Sequence, residues 1–205
     1  MTTTNPVKNY SLLPDSTLRE LLTKYASDNA TRQLIFVKHT GGSSAHLTMY
    51  EKTTEGWTEI LSCPAFIGEN GMGKAREGDS KTPEGIFGLP IAFGLKDDPG
   101  AKIPYVKVNE NLYWCGDEQY YNQLIDITEK PHNCQGEHLI DYAPQYNYGM
   151  FIDYNKEGIY GEGSAIFLHC TGSKNHTAGC VAVSEPDMIT ILQHAEEGSK
   201  ICICR

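Results

Sequence analysis

Long apolar runs are missing from this sequence. The longest, such as Ser164 to Leu168, fall far short of the ~20 residues that a membrane-spanning helix needs, so the chain is not expected to span a bilayer. An excess of basic charge is missing too. With 17 Lys and Arg against 26 Asp and Glu the net charge is −9, which removes the electrostatic footprint of a nucleic-acid binder. The first residues, Met1-Thr-Thr-Thr-Asn-Pro, show neither a basic n-region nor an apolar h-region, so no secretory signal is read there. There is no CxxC pair, and Cys202-Ile-Cys204 is not a usual zinc half-site; no metal and no cofactor are expected. Only His132, Cys134 and His138 lie close enough in sequence to keep a structural metal in view. Internal repeats and low-complexity linkers are also absent.

What is present suffices for one core: 205 residues, 40% of them hydrophobic. Seven cysteines, at 63, 115, 134, 170, 180, 202 and 204, leave at least one thiol free if the others pair, and a reducing compartment would leave all of them free. From Leu12 to Ala26, apolar Leu18, Leu21, Leu22 and Tyr25 recur at helical spacing behind Pro14, Asp15 and Ser16, which can cap. Residues 1–30 therefore read as a helical lead-in. The chain then turns to β. Gln33 to Lys38 and Ala45 to Tyr50 have strand character around the hairpin loop Thr40 to Ser44, and Gly56 to Leu61 begins a third strand. Glycine and charge dominate Gly68 to Gly88, and prolines 83, 90, 99 and 104 exclude long regular elements up to Val108. Tyr105 to Val108, Met150 to Tyr154 and Ala165 to Leu168 have strand composition. Cys180 to Val183 opens another strand, followed by a helix capped by Ser184 and ending near Gly198. Residues 31–205 read as one mainly β, α+β domain.

The chemistry concentrates between Ile166 and Val183. There His169 ends an apolar strand, and Cys180, eleven positions on, opens another across a polar loop with two glycines. If the strands are neighbours, the two side chains meet. A free thiol, with a pKa of roughly 8.5, is mostly protonated at neutral pH and needs a base beside it to act as a nucleophile. Gly179 lets a carbonyl approach the backbone, where amides can donate to an oxyanion. The plainer alternative is a small buried cysteine and a satisfied surface histidine.

At these residues the sequence resembles the L,D-transpeptidases of the YkuD type, whose motif is a histidine, a variable loop, Ser/Thr-His-Gly-Cys and an apolar strand. Thr177, Gly179 and Cys180 match it; Ala178 replaces the second histidine, and the loop from His169 is shorter than usual. The segment Lys81-Thr82-Pro83-Glu-Gly85-Ile-Phe87 resembles the family's Lys-Thr-Pro-x-Gly-x-Phe. Tyr120 to Asn122, Glu137 to Leu139, Ile152 to Asn155 and Gly163 to His169 are similar to a divergent branch that also lacks the second histidine. The resemblance runs from about Leu34 to Leu192.

It implies a β-rich fold and a two-step acyl transfer on peptidoglycan stem peptides. Cys180 would be the nucleophile and His169 the base, oriented by the backbone carbonyl of Cys170. The amides of Ala178, Gly179 and Cys180 would form the oxyanion hole. Arg76 and Lys81 are candidates for meeting substrate carboxylates, although basic residues in glycine-rich loops are usually solvated. The same site using water would be an L,D-carboxypeptidase or amidase. A noncatalytic wall-binding module would have no need of the Cys180 and His169 pair. A papain-like peptidase would place its cysteine before its histidine, and only His194, on the expected helix, follows Cys180. A wall substrate implies the periplasm or cell envelope, reached by a signal outside this sequence or by another route, with the cytoplasm as the alternative. Oligomeric state is not readable.

Overall fold

The computed structural model describes residues 15–205. Leu12 to Pro14, part of the expected first helix, lie outside them. Helix α1 (Ser16–Lys24) begins where Asp15 accepts the Leu18 amide at 2.9 Å, satisfying one of the unpaired donors of the first turn. Its apolar face, Leu18, Leu21 and Leu22, is buried, each side chain contributing about 1.5–3 kcal/mol before the entropy of ordering.

Three long strands follow as a meander: β1 (Gln33–Gly41), β2 (Ser44–Thr53) and β3 (Gly56–Phe66). Short strands come next: β4 (Gly85–Gly88), β5 (Ala92–Gly94), β6 (Tyr105–Lys107), β7 (Leu112–Cys115), β8 (Gln123–Asp126), β9 (Glu137–His138), β10 (Gly149–Phe151), β11 (Phe167–Cys170) and β12 (Val181–Val183). Helix α2 (Glu185–His194) and β13 (Lys200–Cys204) complete the order. Ten strands form one sheet in the order β4-β13-β1-β2-β3-β12-β11-β10-β5-β6, and β8-β7-β9 form a small second sheet.

Alternation along β1 shows how the layers arise. Leu34 and Phe36 point to the side of α1, Tyr50 and Trp57, whose indole nitrogen donates to the Leu22 carbonyl at 3.0 Å. Ile35 and Val37 point to the opposite face, which packs on Ile191, Leu192 and Met188 of α2. A strand covered on both faces shows a continuous buried run, as Gln33 to Val37 does. Helix α2 starts with Ser184 accepting the Asp187 amide, with a proline in the first turn.

Several boundaries differ from the sequence reading. The strand after Met150 stops at Phe151, and the one expected from Ala165 starts at Phe167, because Ala165 has a left-handed φ of 53° that no strand residue adopts. Cys180 lies just before β12 rather than in it. Helix α2 ends at His194, not near Gly198; Gly198, with φ 89°, instead turns the chain into β13, a strand absent from the sequence reading.

Candidate active site

Strands β11 and β12 are neighbours and parallel, with Leu168 opposite Val181 and His169 opposite Ala182. Cys180 is therefore level with Phe167. Residues two apart in a strand share a face, so Cys180, Phe167 and His169 emerge on one side of the sheet, while Leu168, Cys170, Val181 and Val183 go to the aliphatic core. Beneath Cys180 lies an aromatic floor of Phe93, Trp114, Tyr146, Phe151 and Phe167.

The thiol sits in a backbone cradle. The Phe167 amide donates to Cys180 Sγ at 3.3 Å, and Sγ directs its own hydrogen to the Ala165 carbonyl at 3.2 Å. His169 shares the cleft with Cys180 but is not the thiol's hydrogen-bond partner in this state. His169 Nδ1 is 2.7 Å from the Cys170 carbonyl; since a carbonyl only accepts, Nδ1 carries the proton and Nε2 keeps its lone pair. Burial pushes His169 down to about 4, opposed by that hydrogen bond. Burial pushes Cys180 up to about 12, reinforced by the Glu137 carboxylate and opposed by the Phe167 amide and Lys74. The resting pair is thus neutral thiol and neutral imidazole.

Gly179 has φ 148°, and a Cβ there would lie 2.9 Å from the Lys81 carbonyl and 3.1 Å from Ile166, so only glycine fits. Its amide donates to Thr177 Oγ1 at 3.1 Å, and that hydroxyl donates to the Cys180 carbonyl at 2.7 Å. The Gly179 amide is therefore already engaged. Ala178 lines the cleft beside Cys180.

Two clefts meet at the nucleophile. One, about 350 Å³, runs over His169, Tyr142, Tyr146 and the 172–177 loop; the other, about 400 Å³, runs over Lys74, Glu77, Gly116 and Ser164. Both are lined by Cys180, Ala178 and Glu137. Glu137 accepts from the Tyr146 hydroxyl, and burial raises it to about 7. Tyr146 also stands edge-on to His169 with ring centroids 5.6 Å apart.

Neither basic residue singled out in the sequence reaches the clefts. Arg76 is exposed, and Lys81 contributes its backbone against Gly179. The reason is Asp79, which accepts the amides of Ala75, Arg76 and Lys81 and curls the loop so that Lys74 points inward. Lys74 Nζ pairs with Asp79 at 3.1 Å, with both side chains nearly buried. Asn122 is the other residue missed: its Oδ1 accepts from Trp114 Nε1 at 2.8 Å and from the Ala165 amide at 3.0 Å. It thereby holds the strained residue whose carbonyl cradles the thiol. Periodicity could not find these groups, since Lys74 is placed by the side-chain hydrogen bonds of an irregular turn and Asn122 by contacts between separate segments; the Glu137 and Asn122 stretches were signalled only by resemblance.

No curated protein sequence matches the chain. Among solved structures, similar folds include Bdellovibrio bacteriovorus Bd1075, at 21% identity and TM-score 0.46 over 87% of this chain and 49% of that one. The helical cell shape determining protein Pgp2 from Campylobacter jejuni is similar at 16% identity and TM-score 0.47, over 89% and 52%. An L,D-transpeptidase (Yku) from Stackebrandtia nassauensis is similar at 11% identity and TM-score 0.40, over 92% and 64%. The chain thus spans less than two thirds of each. The profile of the L,D-transpeptidase catalytic domain, YkuD, matches residues 34–203, which include every element from β1 to the body of β13 and both Cys180 and His169, and the chain belongs to that family.

Proposed function

We propose that this chain is a peptidoglycan L,D-transpeptidase acting through Cys180. The observation that carries the reading is the position of Cys180 where two clefts meet, which we assign to an acyl donor and an amine acceptor, with the neutral imidazole of His169 lining one of them. The donor is a stem peptide whose third residue, a diamino acid, presents its carbonyl to sulfur. Rotation of the thiol from Ala165 toward His169 Nε2 lets the imidazole take the proton as the C–S bond forms. The Ala178 and Cys180 amides receive the oxyanion, the Gly179 amide being held by Thr177. His169 then passes the proton to the departing terminal D-residue, leaving a thioester. An amine from a second stem gives its proton to His169, attacks the thioester and restores the thiol. The envelope is where such a substrate lies, and it is the compartment we assign.

The test is incubation of the protein and its Cys180→Ala variant with tetrapeptide-stem muropeptides, read by mass spectrometry. A crosslinked dimer lacking the terminal D-residue, absent with the variant, supports the proposal. Shortened monomers alone would identify a carboxypeptidase at the same site. Binding without any product or acyl adduct on Cys180 would leave a wall-binding module.

A further inference from the structure

At the end of β7 in the small sheet, behind the wall of the second cleft, lies a cluster of reactive side chains that does not itself line the acyl-transfer site. Cys115 closes β7, Asp117 caps the 3-10 turn 118–120, and His132 and Cys134 come back along the loop that leads to β9. Cys115 Sγ is 2.8 Å from Asp117 Oδ2, 3.2 Å from His132 Nε2 and 2.7 Å from Cys134 Sγ. His132 Nε2 is 3.3 Å from Asp117 Oδ2, and one donor atom from each of the four lies within 4.8 Å of all the others. His138, which the sequence grouped with His132 and Cys134, goes elsewhere: it bonds to Asp141 and the Glu110 carbonyl and stacks on Tyr113.

We propose that Cys115, Asp117, His132 and Cys134 form a structural zinc site. Two thiolates, an imidazole and a carboxylate are a donor set that suits Zn²⁺ and disfavours Mg²⁺ or Ca²⁺, which take oxygen ligands. Donors roughly 2.0–2.3 Å from a tetrahedral ion stand roughly 3.3–3.8 Å apart, a spacing these atoms reach with side-chain adjustments of about an ångström. The imidazole is already oriented: Nδ1 lies 2.6 Å from the Lys130 carbonyl and donates to it, which turns the Nε2 lone pair toward the other three donors. Four protein donors leave no open position, so the ion is structural rather than catalytic. Binding expels the two thiol protons and leaves a net charge of −1 at the site.

The site lies at the neck of the excursion from β7 to β9 that carries the 118–120 turn and β8, a closed loop of chain between Cys115 and Glu137. A Cβ on Gly136 would fall 1.9 Å from the Trp114 carbonyl and 2.7 Å from the Gly116 amide, so the two ends of the loop cross in direct contact there. The next residue is Glu137, which lines both clefts beside Cys180. A zinc ion would lock that neck and hold the shared wall in place.

The full chain, produced in zinc-supplemented medium and kept reduced, should carry one zinc per chain by plasma mass spectrometry. His132→Ala and Cys134→Ser should lose it, and Cys204→Ser, a thiol outside the cluster, should retain it. Cobalt added to the stripped wild-type chain should give near-ultraviolet thiolate-to-metal charge transfer and the strong visible bands of a four-coordinate ion. This readout needs no variant and no activity, so it stands or falls apart from the proposed reaction. Reduced protein that takes up neither zinc nor cobalt, zinc retained by both variants, or a Cys115–Cys134 disulfide in the protein as isolated would each overturn the site.

Discussion

Replacing Asn122 by alanine should cost more than any surface substitution in this chain. Its amide makes four hydrogen bonds: Oδ1 accepts from Trp114 Nε1 and the Ala165 amide, and Nδ2 donates to the carbonyls of Tyr154 at 3.0 Å and Asn155 at 2.9 Å. The residue is 7% exposed, so water replaces these partners poorly. Losing them, with the stranded groups partly rehydrated, costs about 2–4 kcal/mol. Asn122 also has φ 60°, a conformation asparagine tolerates better than alanine by about 1 kcal/mol. The expected loss is thus about 3–5 kcal/mol, read as the shift of the urea midpoint followed by tryptophan fluorescence. Asn122→Gly should recover about 1 kcal/mol by freeing φ alone. An Asn122→Ala variant within about 1 kcal/mol of the parent would refute the reasoning. So would a glycine variant no more stable than the alanine one.

Alkylation of Cys180 by iodoacetamide, read on its own peptide by mass spectrometry, should rise about tenfold per pH unit from 7 to 10, because burial holds the thiol protonated up to about 12. A plateau below pH 8 would mean a preformed thiolate–imidazolium pair. Stability should carry two opposing pH terms. His169, held near 4, binds fewer protons folded than unfolded, so its term rises with pH from about 4 to the unfolded value near 6.5; Glu137, held near 7, binds more, so its term falls with pH between about 4.5 and 7. Urea midpoints of Glu137→Gln should therefore climb with pH across that window and those of His169→Asn should decline; parallel profiles would show that neither residue titrates as described. Cys170→Ala should stay within about threefold of parental kcat and lose roughly 1–2 kcal/mol of stability, since the carbonyl rather than the buried thiol orients His169. A tenfold fall in kcat in a folded variant would give the thiol a role.

Where periodicity is strong, residues alone place the elements. Leu18, Leu21 and Leu22 mark α1, the apolar run Leu34 to Val37 marks β1, apolar residues alternating with polar ones from Ala45 to Met49 mark β2, and Ser184 with its acidic first turn marks α2. The strands that escape are two to five residues long, such as Glu137–His138, Leu112–Cys115 and Lys200–Cys204, where a period of two has no room to show. Cys180 and His169 were legible because adjacent strands join them through a short loop. Lys74 was not, because Arg76 and Lys81 look equally basic in the sequence and only the folded Asp79 turn decides which cation faces inward. The Cys115 cluster joins two segments that are close only once β7 and β9 pair.

Strand β13 lies between β4 and β1, running parallel to β1 with Lys200 opposite Leu34. Until residues 200–204 have left the ribosome, one edge of β1 has no partner, and β4 has no strand to join. Pairing across so long a span of chain comes late and slowly, and an open, apolar β1 edge invites association with other chains. Synthesis up to that point therefore proceeds without a completed sheet, and the backbone of Leu34 to Lys38 stays open on the side that β13 will later cover.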